Sequence, residues 1–203
     1  MDIVSALGLG SAAGLNAYIP MLIVGLLDRY TSVVNLPAGW TWLSDGWLLA
    51  IVAVLLVVEV VADKIPAVDS INDVVQTIVR PASGGIVFAS GMGDPQTVSD
   101  SASAFGDGRW VGFAVGAAVA LIVHLTKSTA RPVANVTTAG LAAPVLSAGE
   151  DATSVALSLA AVFAPIVVLV LLALTFFGLG WLISKRRKRR HAGPPPRLED
   201  MDF

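Results

Sequence analysis

The chain has 203 residues, of which 55% are hydrophobic and 14% are charged, and its mean hydropathy is +0.77. Soluble domains carry about 25% charged residues, so a water-soluble fold of this length could not bury so much apolar surface. The absence of cysteine excludes disulfides, thiolate metal sites and cysteine nucleophiles. The composition therefore predicts an integral membrane protein.

The charges are distributed unevenly along the chain. The formal net charge is −2 at pH 7, yet basic residues are concentrated in one run near the C-terminal end. This run is Lys185, Arg186, Arg187, Lys188, Arg189 and Arg190. Such a run beside an apolar span sets topology and contacts anionic lipid headgroups. We therefore predict a transmembrane domain over 1–184 and a basic, Pro-containing, disordered tail over 185–203 on the cytoplasmic side. Nucleic-acid binding is not expected.

Four long runs with at most one ionisable residue could form membrane spans, since a helix needs about 20 apolar residues to cross the hydrocarbon core. The runs are 3–27, 47–62, 111–126 and 152–183. The first lacks a basic leading region and is predicted to be a retained span instead of a signal peptide. These runs favour a multi-pass protein of the cell membrane.

A more polar segment follows the second run. Every third or fourth residue from 69 to 80 is polar, as on one face of a helix. These residues are Asp69, Asp73, Gln76 and Arg80. We predict an amphipathic helix that begins after Pro66 and ends before Pro81. Its polar stripe, with Asn72 nearby, either lines a polar pathway or forms the wet side of an interfacial helix.

Two weakly apolar segments are interrupted by glycine or proline, and each follows an Arg-Pro pair. Residues 82–92 could form a re-entrant piece, and residues 132–148 a short or broken span. Corresponding interrupted segments in two halves of a chain indicate a transporter-like site. Residues 13–20 and 139–144 have short similar sequences, so an internal repeat of the two halves is kept as an alternative.

Two carboxylates, Glu59 and Asp63, lie one helical turn apart at the end of the second run. Ionisable groups inside spans are functional candidates, so this pair could serve as a proton relay or cation site. Alternatively, Asp63 and Lys64 mark the membrane boundary and only Glu59 is buried.

Arg80 and Arg131 each precede a proline. Their guanidinium groups could bind an anionic lipid head or substrate, or they could extend to the membrane boundary. His124 is interpreted as a helix-end residue. No metal site, cofactor or catalytic residue is predicted.

Small residues in two runs indicate close helix packing. Gly10 and Gly14 form one GxxxG pair, and Gly112 and Gly116 form another. Packing within the chain or formation of a homo-oligomer would explain both pairs. Asn16, a polar residue within the first run, makes residues 14–20 a candidate discontinuous-helix site.

The segments AGLNAYIPML (13–22) and ADKIPAVDSINDVVQTIVRPASG (62–84) resemble a family of small bacterial integral membrane proteins described as a domain of unknown function. The ADKIP…D…D…RP pattern is the most distinctive part, and the likeness extends to about residue 183. The resemblance implies a multi-helix membrane protein. It supplies no activity, substrate or catalytic residue.

The sequence predicts an all-α, polytopic transmembrane bundle with four long spans, one or two short, broken or re-entrant helices, and an amphipathic helix. The predicted function is transport of an ion or small solute through a polar pathway between helices. One alternative is a scaffold or accessory subunit that binds a partner or anionic lipid. Another is a membrane enzyme or flippase acting on a lipid-linked phosphate, which requires Arg80 and Arg131 to converge.

Overall fold

The computed structural model describes residues 1–92, 109–138, 141–168, 170 and 173–174. Every regular element in this part of the chain is a helix, so the all-α prediction is confirmed. The elements are α1 (Ile3–Leu15), α2 (Tyr18–Tyr30), a 3₁₀ helix (Ala38–Ser44), α3 (Gly46–Ala62), α4 (Pro66–Met92), α5 (Arg109–Thr137) and α6 (Ala142–Phe163).

Residues Met1–Val168 form one compact unit. The other unit comprises residues 169–203, of which only 170, 173 and 174 are described. The predicted boundary at 184 and the basic run at 185–190 lie outside the described residues.

The first predicted span is not a continuous helix. Helix α1 ends at Leu15, and Asn16 has an extended backbone with φ −145° and ψ 123°. The Asn16 Oδ1 atom accepts hydrogen bonds from the backbone N–H of Tyr18 at 3.0 Å and of Ile19 at 3.2 Å. A side-chain acceptor at this position satisfies N–H groups that have no intrahelical partner. Pro20 is the third residue of α2, where a missing N–H costs no helical hydrogen bond.

The predicted bounds of the second run agree with α3 to within one residue, whereas those of the fourth run differ from the structure. Helix α3 begins after Asp45, whose carboxylate accepts from the N–H groups of Trp47 and Leu48. Helix α6 begins ten residues before the predicted start at 152 and is interrupted at Ala164, the residue before Pro165. Because proline disfavours the helical conformation in the preceding residue, the expected continuous helix from 152 onward is wrong.

The amphipathic helix does not end before Pro81. Helix α4 continues through Pro81 to Met92, so the re-entrant piece expected over 82–92 is the second half of one helix. Helix α5 likewise passes through Pro132 and ends at Thr137. The segment 132–148 is therefore the end of α5, a connection and the start of α6. Packing along neighbouring helices offsets the hydrogen bond that each proline removes.

Helix α1 packs against α4, α5 and α6, and α4 packs along α5. Small residues allow the close approach of α4 and α5. A β-carbon built on Gly116 would collide with the carbonyl oxygen of Gly84 and the β-carbon of Phe88. A β-carbon on Gly14 would lie 2.6 Å from the carbonyl oxygen of Ala120. The structure thus places both glycines in contacts between helices of the same chain. Gly10 faces Gly116, and Gly112 faces Ala89.

We expect Gly116→Ala to lower the free energy of unfolding by about 1–3 kcal/mol, because overpacking forces the backbones of α4 and α5 apart. Gly149→Ala is the matched control, since a β-carbon there has no atom within 4 Å. Alanine is the better helix former, so this control should be neutral or slightly stabilising. Thermal unfolding in detergent, followed by tryptophan fluorescence, measures both. Equal stability of the two variants would contradict the packing.

Within the described residues, two helices are long and apolar enough to cross a membrane, Trp110–Pro132 and Ala143–Phe163. A third candidate is the pair Ala38–Ser44 and Gly46–Ala62, which is bent by 56°. In the part of the chain that the structure describes, four long spans are therefore not found as single helices.

Helix α4 turns its apolar face outward and its polar face inward. The side chains of Ile71, Val74 and Ile78 are exposed, whereas Gln76 and Arg80 are buried among the other helices. A soluble amphipathic helix has the opposite arrangement. The side chain of Asp69 lies outside the described residues. In the described part of the stripe, Gln76 and Arg80 therefore face the protein interior, and Asp73 is half-buried.

Candidate functional site: a buried ionic network at a helix break

The C-terminal end of α1 is bound by side chains from three other helices. The carbonyl oxygen of Leu15 accepts from Lys127 Nζ at 3.1 Å, and that of Gly14 lies 3.5 Å from Arg80 Nη1. Ser154 Oγ donates to the carbonyl oxygen of Ala12 at 3.0 Å. A helix C-terminus carries about half a negative charge and free carbonyls. The positively charged side chains of Lys127 and Arg80 compensate this negative charge at the end of α1.

These cations belong to a larger cluster of charges, which we call the ionic network. Its members are Glu59, Asp63, Arg80, Lys127, Arg131 and Glu150. The exposed side-chain fraction is at most 3% for every member except Glu150, at 17%. Three positive charges thus face three negative charges in the interior, with a formal sum of zero.

Asp63 is the centre of the network. Its Oδ2 atom lies 3.5 Å from Arg131 Nη2, 3.6 Å from Lys127 Nζ and 3.8 Å from Arg80 Nη2. The Oδ1 atom accepts from the side-chain amide of Asn72 at 2.7 Å. One carboxylate from the end of α3 therefore holds cations from α4 and α5.

Glu59 and Glu150 bind the same cations that contact Asp63. Glu59 Oε1 lies 2.9 Å from Arg80 Nη2. Glu150 Oε2 lies 2.9 Å from Lys127 Nζ and also pairs with Arg131 Nη2. The network thus continues from α3 through α4 and α5 to α6.

His124 adds a neutral imidazole to the network. Its Nδ1 atom lies 3.0 Å from Arg80 Nη1, and its Nε2 atom lies 3.0 Å from Thr77 Oγ1. A guanidinium group can only donate, so Nδ1 must accept and the ring proton resides on Nε2. The Thr77 hydroxyl in turn donates to the carbonyl oxygen of Asp73 at 2.8 Å. Arg80 therefore fixes the tautomer of His124.

Asn16 connects the helix break to α6. Its Nδ2 atom donates to Asp151 Oδ1 at 2.8 Å, while its Oδ1 atom caps α2. At the start of α2, the side chain of Gln76 from α4 lies beside the Tyr18 hydroxyl. The break is therefore held by polar contacts from both α4 and α6.

Several buried polar atoms around the network have no hydrogen-bond partner in the structure. Three are acceptors, Glu59 Oε2, Asp73 Oδ1 and Gln76 Oε1, and one is a donor, Arg80 Nε. A buried polar group without a partner costs about 1–3 kcal/mol. The unpartnered acceptors exceed the donors, so the region could accept a further cation or proton.

The structure brings together most of the candidate residues predicted from the sequence. Glu59, Asp63, Arg80 and Arg131 belong to the network, and Asn72 donates to Asp63. Asn16 binds Asp151 at the helix break, and Gln76 interacts with Tyr18 at the start of α2. Asp63 is buried and Lys64 is exposed, so the expectation of the alternative that only Glu59 is buried is wrong. Arg80 and Arg131 are buried among the helices as well.

Four network or neighbouring residues were missed as candidates. His124 was interpreted as a helix-end residue and Lys127 was not selected, yet both are buried. Glu150 and Asp151 were placed just outside the span predicted over 152–183, yet they lie in the interior of α6. Adjacent acidic residues in an otherwise apolar helix were the available signal. The described residues contain no group of three or more His, Asp or Glu that could hold a metal ion.

The fold and the site define an all-α protein with apolar, membrane-length helices around a buried ionic network. The chain belongs to the family described as Domain of unknown function (DUF4126), whose model matches residues 3–185. This match confirms the resemblance expected from residues 13–22 and 62–84. No curated protein and no solved structure matches the chain.

Proposed function

We propose that the protein transports an ion or small polar solute across the cell membrane, along a polar pathway between its helices. The observation that carries the proposal is the ionic network at the break between α1 and α2. Ionisable groups in a bilayer are costly and mark ion pathways and proton relays. Broken helices with free ends near the middle of the membrane form the binding sites of many transporters.

In this proposal the α1–α2 pair crosses the membrane as one broken span. The bent pair ending in α3 forms another, and α5 and α6 are the continuous spans. The exposed apolar face of α4 contacts lipid. The basic run at 185–190 keeps the tail on the cytoplasmic side, next to anionic headgroups.

The position of the arginines favours transport over chemistry on a lipid-linked phosphate. Arg80 and Arg131 do converge, but both guanidinium groups contact Asp63. Arg80 also binds Glu59, and Arg131 also binds Glu150. A phosphate would have to displace these carboxylates, whereas a cation or proton could join them. The side chains that meet here therefore support an ion pathway.

The test is solute flux in proteoliposomes containing the wild-type protein or Glu59→Gln. We expect flux of at least one ion or small solute above that of empty liposomes, and a loss of at least about tenfold in the variant. The substitution keeps an acceptor for Arg80 but removes the charge, and a tenfold loss corresponds to only about 1.4 kcal/mol in a barrier.

Asp45→Asn is the matched control, because Asp45 caps α3 outside the network and asparagine caps a helix equally well. It should retain wild-type flux. Absence of flux for inorganic ions, amino acids and sugars in the wild-type protein would contradict the proposed function. Unchanged flux in Glu59→Gln would remove Glu59 from the pathway.

A further inference from the structure

We propose that the transported ion is the proton, and that Glu59 takes it up on its Oε2 atom, beside Gln76 and Arg80. The inference rests on the proposed function and names the substrate of the same site. Three observations support it: the unpartnered polar atoms around Glu59, the distribution of cations among the buried carboxylates, and the excess of carboxylates around the helix break.

Glu59, Gln76 and Arg80 bring unpartnered polar atoms into the interior. Glu59 Oε2 and Gln76 Oε1 are acceptors without a donor, and Arg80 Nε is a donor without an acceptor. The exposed fraction is at most 2% for all three residues. Because Arg80 Nη2 lies 2.9 Å from Glu59 Oε1, two of the unpartnered atoms belong to groups that are already in contact.

The Tyr18 hydroxyl relates Gln76 to this ion pair. Gln76 lies one helical turn before Arg80 on α4, and side chains at that spacing are neighbours. The side chain of Gln76 lies beside the Tyr18 hydroxyl, and the charges of Glu59 and Arg80 act on the same hydroxyl. The unpartnered atoms therefore lie close together beside Tyr18. Tyr18 itself is half-buried, so protons enter from the side of α2.

A proton on Glu59 supplies the donor that the two acceptors lack. The Oε2–H group can donate to Gln76 Oε1, directly or through a water molecule that also accepts from Arg80 Nε. Proton uptake is Glu59–COO⁻ + H₃O⁺ → Glu59–COOH + H₂O, which conserves charge and atoms. A metal cation at the same place would lie beside the Arg80 guanidinium, which repels it. The group therefore favours a proton over a metal cation.

Glu59 is the carboxylate of the network that loses least when it becomes neutral. Asp63 Oδ2 lies near three cations, and Glu150 Oε2 pairs with two. In the described part of the chain, Glu59 forms one ion pair, with Arg80. After proton uptake, Glu59 Oε1 can still accept from Arg80, whose charge keeps Asp63 Oδ2 at 3.8 Å. Neutral Glu59 therefore leaves no cation without a carboxylate.

Carboxylates outnumber cations around the helix break. Two further carboxylates lie next to the three of the network. Asp73 is joined to His124 through Thr77, and Asp151 accepts from Asn16. Five carboxylates thus face three cations, since His124 is neutral. Unpaired charge is costly in the interior, so one added proton reduces an existing excess of negative charge.

Several charged or titratable groups could influence proton uptake by Glu59. Those that act on it directly or through the Tyr18 hydroxyl are Tyr18 from α2, Asp63 from α3, Arg80 from α4 and Lys127 from α5. The 3₁₀ helix carries no titratable residue. Glu150 of α6 acts through its pairs with Lys127 and Arg131. A measurement that is specific for a carboxylic acid is therefore needed beside a pH profile.

Proton flux into proteoliposomes tests the identity of the substrate. The vesicles enclose a pH-sensitive dye, and a potassium gradient with valinomycin sets an inside-negative potential. We expect the wild-type protein to move protons faster than empty liposomes. Glu59→Gln should lower this flux at least about tenfold, because a positioned carboxyl group contributes about 10²–10⁴-fold to proton transfer. Asp45→Asn, outside the network, should retain wild-type flux.

Infrared difference spectroscopy of the full-length protein in detergent tests proton uptake without flux. Exposed carboxylates stay ionised above about pH 6, so a carboxylic acid C=O band that appears between about pH 9 and about pH 6 reports a buried group. We expect this band in the wild type and in Asp45→Asn, with a shift in D₂O, and its loss in Glu59→Gln. Gln76→Leu should change the band frequency, because the acid loses a hydrogen-bond acceptor.

The inference is overturned if the wild type shows no carboxylic acid band in this range, if the band persists in Glu59→Gln, or if that variant conducts protons normally. The wild-type band and its change in Gln76→Leu decide the matter even when Glu59→Gln does not fold. Flux of another solute without proton flux would overturn the inference and leave the proposed function intact. A Glu59 acid band without flux of any solute would contradict the proposed function and, with it, proton transport.

Discussion

Asp63→Asn is expected to destabilise the protein by about 3–5 kcal/mol, the usual cost of removing one partner from a buried ionic cluster. All three cations of the network contact Asp63 Oδ2. With asparagine, three positive charges would face two negative charges in the interior. Asparagine can still accept one hydrogen bond, so the loss arises from the charge and not from the shape of the side chain. Chemical or thermal unfolding in detergent measures the effect.

A second substitution should restore the balance. Arg131→Gln in the Asp63→Asn background removes one positive charge and leaves two charges of each sign. We expect the double variant to regain at least half of the lost stability, and a double-mutant cycle gives the coupling energy. Independent, additive losses at the two positions would contradict a network that is governed by charge balance.

The sequence contained the members of the site but not their arrangement. Glu59, Asp63 and Arg80 were found because an ionisable residue in or beside an apolar run is costly and therefore informative. Their partners depend on how α3, α4 and α5 are rotated about their axes. Residues 47 positions apart, such as Thr77 and His124, meet only through that rotation, which no local pattern determines.

Glu150 was missed for a different reason. A search for uncharged runs ends at the first charge, so Glu150 and Asp151 were excluded from the helix they occupy. In the structure, Arg131 and Lys127 pair with Glu150, and Asn16 binds Asp151. These two charges are tolerated within α6 because groups on neighbouring helices compensate them. Such compensation depends on tertiary packing and cannot be read from the local sequence.

Helix ends were mispredicted wherever packing overrides local preference. Proline disfavours a helix interior by about 3 kcal/mol, which predicted an end before Pro81. In the structure α4 continues beyond Pro81, because its next turn packs closely against α5 where Gly84 contacts Gly116. By contrast, the break at Asn16 combines a polar residue with Pro20 four positions later. Its position was predicted from the local sequence as a candidate discontinuity over 14–20.

Substitutions of the ion pair formed by Glu59 and Arg80 distinguish an effect on protein stability from an effect on transport. Either Glu59→Leu or Arg80→Met alone should lower the free energy of unfolding by about 3–5 kcal/mol, because each leaves a buried charge without its partner. Replacement of a whole buried ion pair by apolar side chains is often neutral or stabilising. We therefore expect the double variant Glu59→Leu/Arg80→Met to recover at least half of the loss.

Transport should not recover with stability. The double variant removes both an ionisable group of the pathway and the guanidinium that fixes the tautomer of His124. We expect its flux to stay at least about tenfold below that of the wild type, a loss equivalent to 1.4 kcal/mol or more in the barrier. Unfolding in detergent and flux in proteoliposomes are measured on the same preparation. A double variant that is stable and fully active would assign the pair to folding alone, whereas a stable, inactive one supports a pathway through it.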